Sequence, residues 1–86
     1  MTDIRQMIRG RGRVSGARQV MRALRAGRVE RVFVAADAAG TVTAPVKSAA
    51  AEAGVETVEI STMRELGIAF GLAVSASCAA TLRERP

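Results

Sequence analysis

From Ala17 onward the chain changes back and forth between helix-spaced and strand-like apolar patterns, with a glycine or a polar residue at most of the changes. That alternation constrains the fold more than any other feature, because each helix must bury one stripe and each strand must have its faces covered. Ala17, Val20, Met21 and Leu24 follow helical spacing, with Arg18, Gln19, Arg22 and Arg25 on the other side and Gly27 as the C′ stop. Val29 leads into Arg31-Val-Phe-Val-Ala-Ala36, rich in β-branched and aromatic side chains, which reads as a buried strand ended by Asp37. Thr43 is placed to cap a helix with Pro45 in its first turn and Gly54 at its end, and Val46, Ala49, Ala50 and Ala53 form a thin apolar stripe. Val55 to Ile60 sets Val58 and Ile60 against Thr57 and Glu59, the pattern of a strand covered on one face. Thr62-Met-Arg-Glu65 is a capping box, which opens a short helix through Leu66 that ends at Gly67. Gly71 punctuates next, and Val74 to Leu82 reads as a tightly packed central strand.

Before Ala17 the signals are weaker. Asp3 to Ile8 allows a helical turn or two that breaks at Gly10-Arg-Gly12, so residues 1–12 form a short basic arm or helix. Arg13 to Ser15 supplies a short extra strand, and Arg83 to Pro86 is a frayed tail. The expected architecture is α/β, a three-layer α/β/α sandwich with a mixed sheet of about four strands. A chain of 86 residues suffices for one domain over 1–86, and at that size folding buries only about 60% of the unfolded surface, so the stability margin is modest.

Composition narrows the chemistry. There is no His and only one Cys, and no acidic pair stands at metal-ligand spacing, so a zinc site or a Ser-His-Asp triad has no parts. The expectation is a non-enzyme that needs no cofactor and no metal. Cys78 cannot form an internal disulfide and sits among small residues, which suits a buried, inert thiol in a reducing, cytoplasmic setting. The N-terminus lacks the apolar stretch of a signal peptide and Gly67 to Ala80 is too short to span a bilayer, so no membrane partner is expected.

Charge supplies the positive evidence. Nine of the thirteen basic residues lie in the first 31 positions, at Arg5, Arg9, Arg11, Arg13, Arg18, Arg22, Arg25, Arg28 and Arg31, against Asp3 and Glu30 alone. A positive field concentrated on one end of a chain points to a polyanion, and nucleic acid is the first suspect. Without Trp or Tyr, and with Phe33 and Phe70 as the only aromatics, a base-stacking platform is missing, so RNA would be read by backbone shape and base edges. The signal concentrates in Ser15-Gly-Ala-Arg-Gln-Val-Met-Arg-Ala-Leu24, where a glycine precedes a helix whose first turns offer Arg18, Gln19 and Arg22. Free N–H groups at a helix start attract phosphate, and Gly16 lets a backbone approach closely. A solvated basic face opposite a core stripe has the same pattern.

Gly16-Ala-Arg-Gln-Val-Met-Arg-Ala-Leu24 with Gly27, then Val32-Phe-Val-Ala-Ala-Asp37, Met63-Arg-Glu-Leu-Gly67 and Gly71-Leu-Ala-Val-Ser-Ala76, stand in an ordered succession from about Gly16 to Leu82. That succession resembles the kink-turn RNA-binding superfamily of ribosomal proteins L-seven-Ae and L-thirty-e, most of all its small bacterial YbxF-like members. The resemblance implies a surface made by the start of the Gly16 helix and the loop before the last strand. In the family, a Gly-Thr/Val-Asn/Lys-Glu/Gln segment meets tandem sheared G·A pairs in the widened groove of a kinked RNA. Those roles fall on Gly16, Ala17, Arg18 and Gln19, with Arg22 in the place of a phosphate-binding basic residue. The apolar loop that covers an extruded nucleotide corresponds to Leu72, Ala73, Val74 and Ser75. Leu72 and Val74 also fit a core position, as apolar residues before a strand commonly do. Three departures bear on sequence preference and loop shape: Ala17 stands where many relatives have a hydroxyl, Gly40 where proline is frequent, and Ser75 where glycine is common.

The expected function is recognition or stabilisation of kink-turn RNA, as a ribosomal or ribosome-associated protein or a binder of structured mRNA leaders, with a monomer as the expected state. Two alternatives stand beside it. One is a protein-interaction scaffold of the same fold, since fold alone does not settle function. The other is a nonspecific binder of nucleic acid through charge alone.

Overall fold

The computed structural model of the chain describes residues 4–83. Its centre is a strand, β2 (Val29–Ala35), whose alternate residues face opposite ways, and Val32, Phe33, Val34 and Ala35 are all buried. A strand buried on both faces needs a layer on each side. Val32 and Val34 pack against α2 (Ala17–Arg25) and α3 (Gly40–Glu52) through Val20, Leu24, Val46 and Ala50. Phe33 and Ala35 pack on the other side against α1 (Ile4–Ile8) and α4 (Met63–Ala69), through Ile8, Leu66 and the adjoining Phe70. The rings of Phe33 and Phe70 meet edge to face with centroids 5.4 Å apart, a geometry that contributes about 0.5–1.5 kcal/mol beyond area burial.

Three further strands complete the sheet: β1 (Arg13–Ser15), β3 (Glu56–Ile60) and β4 (Cys78–Leu82), in the order β1-β4-β2-β3. β2 and β3 are parallel, joined over α3, while β4 runs antiparallel to both of its neighbours. The sheet is therefore mixed and the architecture is the α/β/α sandwich expected. In β3 Val58 and Ile60 are half-buried while Thr57 and Glu59 are exposed, as the alternation requires of a strand covered on one face. Glu30 is an extra residue in β2 where the register against β4 shifts between Val29 and Arg31. Its carboxylate accepts from the buried Thr81 hydroxyl at 3.3 Å and pairs with Arg11.

α2, α3 and α4 close in the same way. Gly27, Gly54 and Gly71 each take a positive φ near 70°, donate to the carbonyl three residues back, and are followed by a residue that donates to the carbonyl five back. This double bond pattern satisfies the last carbonyls and needs a left-handed residue, which glycine adopts without steric cost.

Several boundaries differ from the sequence reading. Of the two readings for 1–12, arm or helix, the helix is found over Ile4–Ile8, with Ile8 buried, while Asp3 lies outside the described residues. α3 begins at Gly40 rather than after Thr43, because the Ala39 carbonyl accepts from the amides of Val42 and Thr43 at 2.9 and 3.2 Å. Thr43 is thus a buried helical residue and not a cap, and Pro45 sits one turn inside the helix. α4 runs past Gly67 to Ala69. β4 starts at Cys78, so residues 74–77 form a loop and not the first half of a strand. Arg83 is tied down by its amide, which donates to Arg28 at 2.7 Å, and the remainder of the expected tail, 84–86, lies outside the described residues.

Candidate nucleic-acid interface

β1 pairs Ser15 with Ala79, and the Gly16 amide then donates to the Cys78 carbonyl at 2.9 Å. This contact fixes the start of α2 at the end of the sheet where β4 begins. Gly16 has φ 86° and ψ 146°, a conformation almost closed to residues with a Cβ, and space beside it is open. The first intrahelical bond runs from Val20 to the Gly16 carbonyl. Helix geometry therefore leaves the amides of Ala17, Arg18 and Gln19 without intrahelical acceptors. No side chain caps this start and no acidic residue stands in its first turn, so its partial positive charge is uncompensated.

Helical periodicity then sorts the side chains. Val20, Ala23 and Leu24 are buried, Ala17 and Met21 half-buried, and Arg18, Gln19, Arg22 and Arg25 exposed together. Among the described residues no carboxylate pairs with Arg18, Arg22 or Arg25, whereas Arg31 donates to Glu56 at 2.7 Å and Lys47 approaches Glu59 at 3.9 Å.

The loop from Leu72 to Ser77 reaches the same end of the sheet from the opposite layer. Its entry is held by the Leu72 amide on the Gly67 carbonyl at 2.9 Å, and its exit by the Ala76 amide on the Met63 carbonyl at 3.0 Å. The Ala35 amide binds the Ser77 carbonyl at 2.9 Å. The structure separates the two apolar candidates: Leu72 is half-buried against the Phe33 cluster, and Val74 is 72% exposed, with Ala73 and Ser75 exposed beside it. A Cβ built on Gly67 would lie 2.3 Å from the Val74 carbonyl oxygen. Gly67 is a residue that sequence reasoning mistook for a helix stop. The usable signal was its place in a capping-box helix, where an interior glycine costs about 1 kcal/mol relative to alanine and so calls for a close neighbour.

Two nearby polar residues serve the scaffold. The Asp37 carboxylate accepts from the Met63 amide at 2.8 Å and Thr62 Oγ1 accepts from the Glu65 amide at 3.0 Å, so the start of α4 is satisfied internally. Cys78 is fully buried, and burial pushes its thiol up from its ordinary value against a smaller opposing effect of Ser77. Among the described residues no group of three metal-capable side chains gathers, and no helix is long and apolar enough to cross a membrane.

A sandwich with an open, arginine-bearing helix start beside an exposed apolar loop defines a small class of α/β/α proteins. Residues 2–85 match the ribosomal protein L7Ae/L30e/S12e/Gadd45 family, and the chain belongs to it. An RNA-binding protein of Caldanaerobacter subterraneus subsp. tengcongensis is 41% identical over 68 residues, covering 79% of this chain and 83% of its own. RNA-binding protein YbxF of Geobacillus stearothermophilus is 39% identical over 70 residues, 81% of this chain and 85% of its own. Among solved structures, the Giardia lamblia 15.5kD RNA binding protein has the same fold, with a TM-score of 0.82 over 94% of this chain and 68% of that one at 23% identity.

Proposed function

We infer that the protein is an RNA-binding protein without enzymatic activity, and that it recognises a kink-turn through the start of α2 and the loop at Leu72 to Ser75. The observation that carries this reading is the open helix start, where three amides without intrahelical acceptors follow the half-buried Gly16 and where Arg18, Gln19 and Arg22 are exposed together, neither arginine paired with a carboxylate among the described residues. Its bacterial relatives are RNA-binding proteins, which supports it. Arg18 and Arg22 meet phosphates, Gln19 both donates to and accepts from base edges, and Ala17 leaves room for a close backbone approach. Val74 covers an extruded base with Ala73 and Ser75 at its sides, while Leu72 anchors the loop to the core. By binding only the kinked conformer the protein shifts the RNA toward it by its differential affinity. The whole chain acts as one RNA-binding domain and as a monomer, on ribosomal RNA or a structured mRNA leader.

The test compares a kink-turn RNA with the same RNA whose G·A pairs are replaced, at physiological salt. The kinked RNA is expected to bind more tightly. Gln19→Ala should cost about 1–3 kcal/mol on it and leave the salt dependence nearly unchanged. Arg22→Ala should instead lower the slope of log K against log salt by up to about one. Equal losses on both RNAs for both variants would reduce the interface to charge alone.

A further inference from the structure

A second basic surface lies away from α2. α1, β1 and the end of α4 enclose an open groove lined by Arg5, Arg9, Gly10, Arg13, Ile68 and Gly71, and among the described residues no acidic side chain lines it. β1 explains part of this: Val14 turns inward to the α2 layer, so Arg13, its neighbour along the strand, turns to the other face. Arg9 and Arg13 are exposed, and among the described residues neither has a carboxylate partner. The chain does pair other arginines, Arg11 with Glu30 and Arg31 with Glu56, so the lack of a carboxylate at Arg9 and Arg13 among the described residues is not a general property of its surface. In the same groove Ile68 stands 56% exposed, a large apolar side chain whose neighbours Leu66 and Phe70 are buried. The groove ends at Gly71, the residue from which the loop bearing Val74 departs.

We propose that this groove holds the phosphate backbone of an RNA strand that runs on past the loop, with Arg9 and Arg13 on phosphates and Ile68 against a sugar or base face. The proposal rests on the RNA-binding reading above and extends the interface from the α2 side of the sandwich to the α1–α4 side. Charge selects the occupant: a polyanion satisfies the guanidinium groups of Arg9 and Arg13, which no carboxylate among the described residues reaches. The exposed isoleucine beside them suits a nucleotide, which offers an apolar face between phosphates.

The experiment measures affinity against salt for wild type and for Arg9→Ala/Arg13→Ala, on kink-turn RNAs with full-length flanking helices and with each helix trimmed in turn. Both arginines are exposed, so the melting temperature of the double variant should equal that of wild type. Losing two phosphate contacts should lower the slope of log K against log salt by about 1.4–1.8, so that wild type loses about 7- to 12-fold more affinity than the variant between 50 and 200 mM salt. Trimming one of the two helices should weaken wild type and leave the double variant unaffected, the signature of a shared contact. Ile68→Ser should weaken binding without moving the slope. An unchanged slope in the double variant, or equal trimming losses in both proteins, overturns the groove proposal even where kinked RNA is preferred. If wild type binds kinked and straight RNA equally, the kink-turn reading falls and the groove is judged by the slope on either RNA. No binding to either RNA overturns both.

Discussion

Gly16 and Gly67 are glycines for different physical reasons, and substitution separates them. Gly16 has open space around it and a φ of 86°, so its constraint is conformational. Gly16→Ala should lower stability by about 1–3 kcal/mol in chemical denaturation, through backbone strain alone. Gly67 has ordinary helical backbone but a carbonyl oxygen where its Cβ would be. Leu72 and Val74 form a second contrast. Val74→Asp changes an exposed side chain and should leave stability within about 0.5 kcal/mol, while a carboxylate facing phosphates weakens RNA binding. Leu72→Asp puts a charge against the Phe33 cluster and should cost about 1–3 kcal/mol in the same denaturation series. An unaltered RNA affinity in folded Val74→Asp would remove the loop from the interface.

At the scale of elements, α4 and the loop form one unit. Gly67→Ala must displace the Val74 backbone, and amide spectra should show shifts over 72–76 with α2 undisturbed, accompanied by weaker RNA binding. Binding equal to wild type would mean that the loop's position has no bearing on recognition. How far such units can be read from sequence depends on whether the deciding force is local. α2 was legible because its apolar spacing, its arginines and Gly27 all act within a few residues, and β2 because a run buried on both faces has little else to become. The Thr62 cap is likewise a local bond. The start of α3 was not legible: Thr43 next to Pro45 imitates a cap, and only the packing that buries Thr43 decides that the helix begins a turn earlier. Residues 74–77 continue the small-residue run of β4 in composition, and what makes them a loop is a set of bonds to Met63 and Ala35 that no periodicity encodes, although the family resemblance did place a loop at Leu72 to Ser75. The exposed basic face of α2 was readable as a candidate surface, whereas the division of labour between Leu72 and Val74 was not.

Across the described residues, four acidic side chains serve the scaffold and none pairs with the α2 arginines. Glu30, Glu56 and Glu59 pair with Arg11, Arg31 and Lys47, and Asp37 holds the start of α4. Cys78, on the central strand β4 and wholly buried, reports on the intact sandwich. Its folded pKa is raised, so its contribution to stability is complete below the ordinary value of 9.0 and is lost as pH rises from there through the folded value. The melting temperature should fall above that pH, and Cys78→Ala should flatten the decline. A thiol reagent should label the native protein only at the rate of opening; fast labelling at neutral pH would contradict the burial. The loop pinned at Leu72 and Ala76 has a calorimetric consequence. Only Ala73, Val74 and Ser75 lie between those two bonds, so if the loop meets RNA as proposed, at most three residues of the protein have to settle on binding. The heat-capacity change of binding then reflects surface covered and not a segment folding, and the entropy of ordering the complex falls on the RNA.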